Sequence, residues 1–172
     1  IEQIGKGNGK IVIHVPNTAV VKVVQSTHRG GDLRVENFKG ELDVSMHYHK
    51  ARLTNAYGPL AVNTIYGGIE ANFSAGPPNE DIRLHSTYAA VDVTLPKNTA
   101  ANLRLSTSYG SMYTDFDIST KANMNVEDNN DEHSHDECNG CGHGGLTGTI
   151  NGGGKLLSLR ATYKDIYLRQ LK

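Results

Sequence analysis

Both cysteines of the chain and three of its eight histidines fall within eleven residues, His133-Ser-His-Asp-Glu-Cys-Asn-Gly-Cys-Gly-His143. Cys138 and Cys141 in a Cys-x-x-Cys spacing present two thiolates to one tetrahedral ion, and His143 with His135 or His133 could complete four ligands. Soft sulfur and imidazole donors select Zn, Cu or Ni over Ca or Mg. The spacing is not that of a known finger, because the ligand pairs stand only a few residues apart. Two other readings stay open: a Cys138 to Cys141 disulfide in an oxidising compartment, and an acidic surface loop without a ligand. Redox catalysis by the pair is disfavoured, since such motifs normally open a helix beside a βαβ unit.

This cluster sits in a segment of distinct composition. From Ala122 through Gly154 there is no Lys or Arg, while Glu127, Asp128, Asp131, Glu132, Asp136 and Glu137 are all acidic. The rest of the chain is consequently net positive, although the whole carries a formal charge of only −1 over 172 residues. That balance gives no electrostatic case for nucleic acid or an anionic membrane. No apolar run approaches the ~20 residues of a membrane-spanning helix. The chain begins at Ile1 without an initiator methionine, which leads to the expectation of an export signal upstream.

Outside the acidic segment a phrase of strand, tyrosine corner and strand repeats. Aligned on Tyr48, Tyr66, Tyr88, Tyr109 and Tyr163, with His28 in a weaker copy, the consecutive spacings from Tyr48 are 18, 22, 21 and then 54 residues. Leu42, Leu60, Ile82, Leu103 and Leu157 stand six before the tyrosine, and Val44, Val62, Leu84, Leu105 and Leu159 stand four before. Ala51, Ile69, Val91, Met112 and Ile166 follow by three; Arg52, Glu70, Asp92, Tyr113 and Tyr167 follow by four. Apolar residues at every second position mark half-buried strands. A fixed period of this size marks a repeat architecture. The expectation is an all-β, single-stranded β-helix or solenoid with coils of about 20 residues and one His/Cys-rich loop insertion at 122–145, the whole of 1–172 forming one domain.

The phrases LHSTYAAVDVTLPKNTAANLRLSTSYGSMYTDF and INGGGKLLSLRATYKDIYLRQ resemble an adhesin-type β-solenoid family of bacterial envelope proteins, a domain of unknown function common in Bacteroidetes. The resemblance covers about residues 10–120 and 146–172 and rests on a Ser/Thr-x-Tyr-Gly corner, with Ala89 and Lys164 in place of the corner glycine in two copies. It implies an exported, non-enzymatic protein of the envelope or surface of a Gram-negative bacterium, and it transfers no catalytic residues. Its partner would be a protein or glycan on a surface, met by exposed positions such as Tyr113, Tyr167, Arg52 and Arg104. The alternative is a transition-metal-binding envelope module acting through the His133 to His143 loop. A third reading, a carbohydrate-active enzyme, would draw on Glu70 and Asp92, which fall in one outer column on successive repeats. Their expected spacing approaches that of a retaining glycosidase pair, but Arg52 in the adjacent rung is placed to neutralise Glu70.

Overall fold

The computed structural model describes residues 11–120 and 145–172. In chain order the strands begin β1 (Val20–Gln25), β2 (Leu33–Glu36), β3 (Glu41–Met46), β4 (Ala51–Thr54), β5 (Leu60–Thr64) and β6 (Ile69–Asn72). They continue with β7 (Ile82–Ser86), β8 (Val91–Leu95), β9 (Ala101–Thr107) and β10 (Met112–Thr114). After the acidic segment come β11 (Gly145–Ile150), β12 (Lys155–Ala161) and β13 (Ile166–Gln170). The described residues contain no helix.

These strands form two sheets. A seven-stranded sheet has the order β1-β3-β5-β7-β12-β9-β11, and a six-stranded sheet the order β10-β13-β8-β6-β4-β2. Every pairing is parallel except that of β11 with β9. Parallel neighbours in one sheet cannot be joined by a tight hairpin. Here the chain crosses at each tyrosine corner from the seven-stranded to the six-stranded sheet, and then returns.

The aliphatic columns of the sequence meet in register. Leu42, Leu60, Ile82, Leu157 and Leu103 pair in turn across β3, β5, β7, β12 and β9. Ala51, Ile69, Val91, Ile166 and Met112 do the same across β4, β6, β8, β13 and β10. The inward residues of both sheets belong to one apolar core. Leu159, Ile82, Val91 and Leu168 are fully buried there, and each such side chain contributes about 1.5–3 kcal/mol by leaving water. The alternate positions face outward, as the burial alternation of β5, β7 and β9 shows.

The expected single-stranded β-helix with coils of about 20 residues is therefore corrected: the thirteen described strands make two parallel-rich sheets side by side. Spatial order also departs from chain order. The last repeat, β12 and β13, lies between β7 and β9 in one sheet and between β8 and β10 in the other. Alternation of apolar residues reports which face of a strand is buried but not which strand lies beside it. Columns of interchangeable Leu, Ile and Val fit any neighbour, so the pattern could not exclude this insertion. The antiparallel β11 carries no tyrosine corner and was invisible to the repeat.

Candidate functional site: a trough beside a tyrosine ladder

The local chemistry of the corner explains where the tyrosines point. Two residues before Tyr66, Tyr88 and Tyr109 stand Thr64, Ser86 and Thr107, all buried. The Thr64 hydroxyl donates to the carbonyl of Gly67 at 2.6 Å, and the Ser86 hydroxyl donates to the same carbonyl at 3.0 Å while accepting from the Ala89 amide at 3.2 Å. Thr107 likewise donates to the Lys164 carbonyl at 3.2 Å and accepts from the Gly110 amide at 3.0 Å. Short hydroxyl side chains thus satisfy the polar backbone of each bend, in the manner of Ser/Thr turns. Backbone hydrogen bonds continue through the bends, from the Tyr66 amide to the His47 carbonyl and from the Tyr88 amide to the Ile65 carbonyl, both at 2.8 Å. The rings are thereby held one strand spacing apart.

The outcome is a continuous aromatic ladder. Ring centroids are 5.5 Å apart for Tyr48 and Tyr66, 5.0 Å for Tyr66 and Tyr88, 4.8 Å for Tyr88 and Tyr163, and 4.9 Å for Tyr163 and Tyr109. Their planes lie within 15° of parallel. His28 meets Tyr48 edge-on at 6.2 Å. Such stacks are worth about 0.5–1.5 kcal/mol per pair beyond their buried area. All five rings remain exposed, so what they present to solvent is a row of edges and phenol hydroxyls.

Along the outer face of the six-stranded sheet runs a second column, with Arg34, Arg52, Glu70, Asp92, Tyr167 and Tyr113 paired in register. Arg52 bridges two strands: its Nη1 is 2.7 Å from Asp32 Oδ2 and its Nε 3.0 Å from Glu70 Oε2. Lys50 Nζ approaches Glu70 Oε1 at 2.7 Å. Arg169 Nε contacts both oxygens of Asp92, at 3.0 and 3.1 Å, and its guanidinium lies 4.8 Å from the centroid of the Tyr167 ring. Tyr167 stacks on Tyr113 at 5.2 Å and donates its hydroxyl to Asp165 at 3.1 Å.

Between ladder and column lies a trough of about 560 Å³. Tyr48 and Tyr66 wall one side, Arg52, Glu70, Asp92 and Tyr167 the other, and Gly67, Gly68, Ala89 and Ala90 line it between. Small residues are required at part of this surface. A Cβ on Gly67 would stand 1.8 Å from the His49 carbonyl oxygen.

The electrostatics favour an ionised Glu70. The hydrogen bond from Lys50 is the largest influence on Glu70; with Arg52 it outweighs desolvation and holds the Glu70 carboxyl below its ordinary value. Glu70 and Asp92 are register partners on β6 and β8, the adjacency on which a glycosidase reading rests. Both nevertheless carry cationic partners, and the lowered pKa of Glu70 is the opposite of the raised pKa that a general acid needs.

The structure brings together Tyr113 and Tyr167 and places Arg52 in their column, three strands from Tyr167. Arg104 belongs elsewhere, on β9 in the seven-stranded sheet. Cys138, Cys141, His143, His135 and His133 lie outside the described residues. Among the described residues no group of three or more His, Cys, Asp or Glu side chains is arranged to hold a metal ion. Sequence reasoning did not find Asp32, Lys50 and Arg169 as ion-pair partners or the trough itself. The signal for the ladder, a hydroxyl two before each of three tyrosines, was in plain view.

An all-β protein of two parallel-rich sheets sharing one core is the class that this fold and surface define. Compared with protein-family models, curated proteins and solved structures, the chain matches none. Among the described residues no helix is long and apolar enough to cross a membrane.

Proposed function

We propose that this protein is a non-enzymatic recognition module that lays an extended glycan along the trough beside the tyrosine ladder, and that it does so at a bacterial cell surface, as its resemblance to adhesin-type envelope proteins implies. The observation that carries the reading is the juxtaposition itself. Tyr48 and Tyr66 of the ladder share one trough with the ion-paired Arg52, Glu70 and Asp92 and with the small residues Gly67, Gly68, Ala89 and Ala90. A sugar chain offers apolar C–H patches and many hydroxyls, and it is held by a few well-placed polar groups against aromatic surface. The ion pairs keep Arg52, Glu70 and Asp92 in defined positions before any ligand arrives, which lowers the ordering cost of binding.

The test is a neutral-glycan array probed with the full chain, followed by titration of the best ligand against Tyr66→Ala and Arg52→Gln. Loss of about tenfold or more in affinity in both variants, with unchanged thermal unfolding, is the expected result. Equal affinity in wild type and both variants would remove the trough from the function.

A further inference from the structure

The outer face of the seven-stranded sheet carries a different kind of surface. Arg83 on β7 and Arg104 on β9 are both register partners of Ser158 on the intervening β12. They are therefore separated by two strand spacings, about 9.6 Å at ~4.8 Å each. One row along, Arg160 on β12 is the partner of His85 on β7 and of Ser106 on β9. Three exposed guanidinium groups thus form a triangle on three adjacent strands, with the Ser158 and Ser106 side chains set among them.

Among the described residues no carboxylate makes an ion pair with Arg83, Arg104 or Arg160. The acids bordering the triangle are engaged. Asp43 pairs with Lys22 at 3.2 Å, Glu80 with Lys155 at 3.1 Å, and Asp81 accepts the Leu156 amide at 2.9 Å. His85 reports the field: desolvation first, and then the nearby Arg160, hold its imidazole below the ordinary histidine value. This contrasts with the six-stranded sheet, where Arg52 and Arg169 both have carboxylate partners.

We propose that the Arg83, Arg104 and Arg160 triangle is a binding face for a linear acidic polysaccharide, distinct from the trough. A guanidinium matches a carboxylate through two parallel hydrogen bonds, and charges fixed on successive strands suit an extended chain whose acidic groups recur at regular intervals. The intervening serine hydroxyls suit sugar hydroxyls. The outward positions of β7, β9 and β12 include no Phe, Tyr or Trp, and their one aromatic ring is the half-buried imidazole of His85, so the face offers single-stranded nucleic acid no row of stacking platforms for successive bases. Acidic polysaccharide is the occupant the face fits better.

The probe is polygalacturonate, titrated against the full chain at moderate salt, with neutral dextran and an oligothymidylate as comparison ligands. Binding of polygalacturonate but not dextran, weakened about tenfold or more in Arg83→Gln/Arg104→Gln/Arg160→Gln and less in the corresponding triple Lys variant, is expected. Thermal unfolding of both variants verifies that the sheet is intact. Unchanged binding in the Gln variant, or oligothymidylate binding as tight as polygalacturonate, would overturn the proposal. Arg52→Gln should leave polygalacturonate affinity unaltered, so failure here and failure of the trough reading are separately visible.

Discussion

At Gly110 the chain has almost no choice of residue. A Cβ there would sit 2.1 Å from the Lys164 carbonyl oxygen, a contact with the backbone of the adjacent corner that no rotamer change can relieve. Gly110→Ala should lower stability by about 2 kcal/mol or more, read as a shift in the urea midpoint at constant slope. Gly31 is the control, since a Cβ there meets nothing within 4 Å, and Gly31→Ala should fall within about 0.5 kcal/mol of wild type. Equal effects at the two sites would mean that the bends are softer than described. Glu70 supplies a pH-dependent counterpart. Its folded value lies below the ordinary ~4.3 of a glutamate, so its contribution to stability is present above that value and is lost as pH falls through the folded one. In Glu70→Gln, stability should fall less steeply with acid below about pH 4.3, and wild type and variant should converge at the acid end. Parallel curves from urea unfolding across pH would show that the Lys50 and Arg52 pairs contribute nothing.

Among the elements, β12 and β13 have a position that chain order would not assign them. Among the described strands β12 is the only link between β7 and β9 in its sheet, and β13 is the only neighbour of β10. Truncation after Gly153 should therefore do more than remove a terminal repeat. It deletes the buried Leu157, Leu159, Ala161, Ile166 and Leu168 and cuts β9, β10 and β11 away from the remaining strands. With each large core side chain worth about 2–5 kcal/mol on deletion and total stability of about 5–15 kcal/mol, the truncated chain should lose cooperative unfolding altogether. Repeats stacked in chain order would instead survive loss of the last unit at reduced stability. A sharp thermal transition in the truncated chain, followed by far-ultraviolet circular dichroism, would contradict the observed order. The strands and their inward columns were legible because a two-residue alternation is written directly into Leu42, Val44 and their equivalents. Neighbour choice was not, because Leu157 and Leu159 fit beside Leu103 and Leu105 as well as beside Ile82 and Leu84. The same limit explains the grouping of Arg104 with Arg52. Both read as exposed strand positions, and only their offsets of five before and four after the tyrosine tell the two sheets apart.

Over the whole molecule the two ends of the sheets are unequal. At one end β11 pairs antiparallel with β9, Ser119 bridges Thr149, and Phe116 is buried with Ile118 packed against the core. At the other, β1 and β2 are the outermost strands; their inward residues Val21, Val23, Leu33 and Val35 are only half-buried, and Val20 and Val24 are exposed. The centre differs from both, since Leu84, Val93, Leu159 and Leu168 are sealed and every central strand has neighbours on each side. Local opening takes least free energy where few apolar contacts are lost and backbone groups already face water. Amide hydrogen exchange should accordingly be slowest in β7, β8, β12 and β13, intermediate in β9, and fastest in β1 and β2. Because β12 and β13 come last in sequence among the described strands, this ordering separates the spatial arrangement from a simple gradient along the sequence. Protection that declined steadily from the middle of the chain to its C-terminal strands would be incompatible with the fold. Maximal protection in β7 and β12 would place Arg83 and Arg160 on the most rigid part of the molecule, with Arg104 on the adjacent β9, as a site dependent on fixed charge spacing requires.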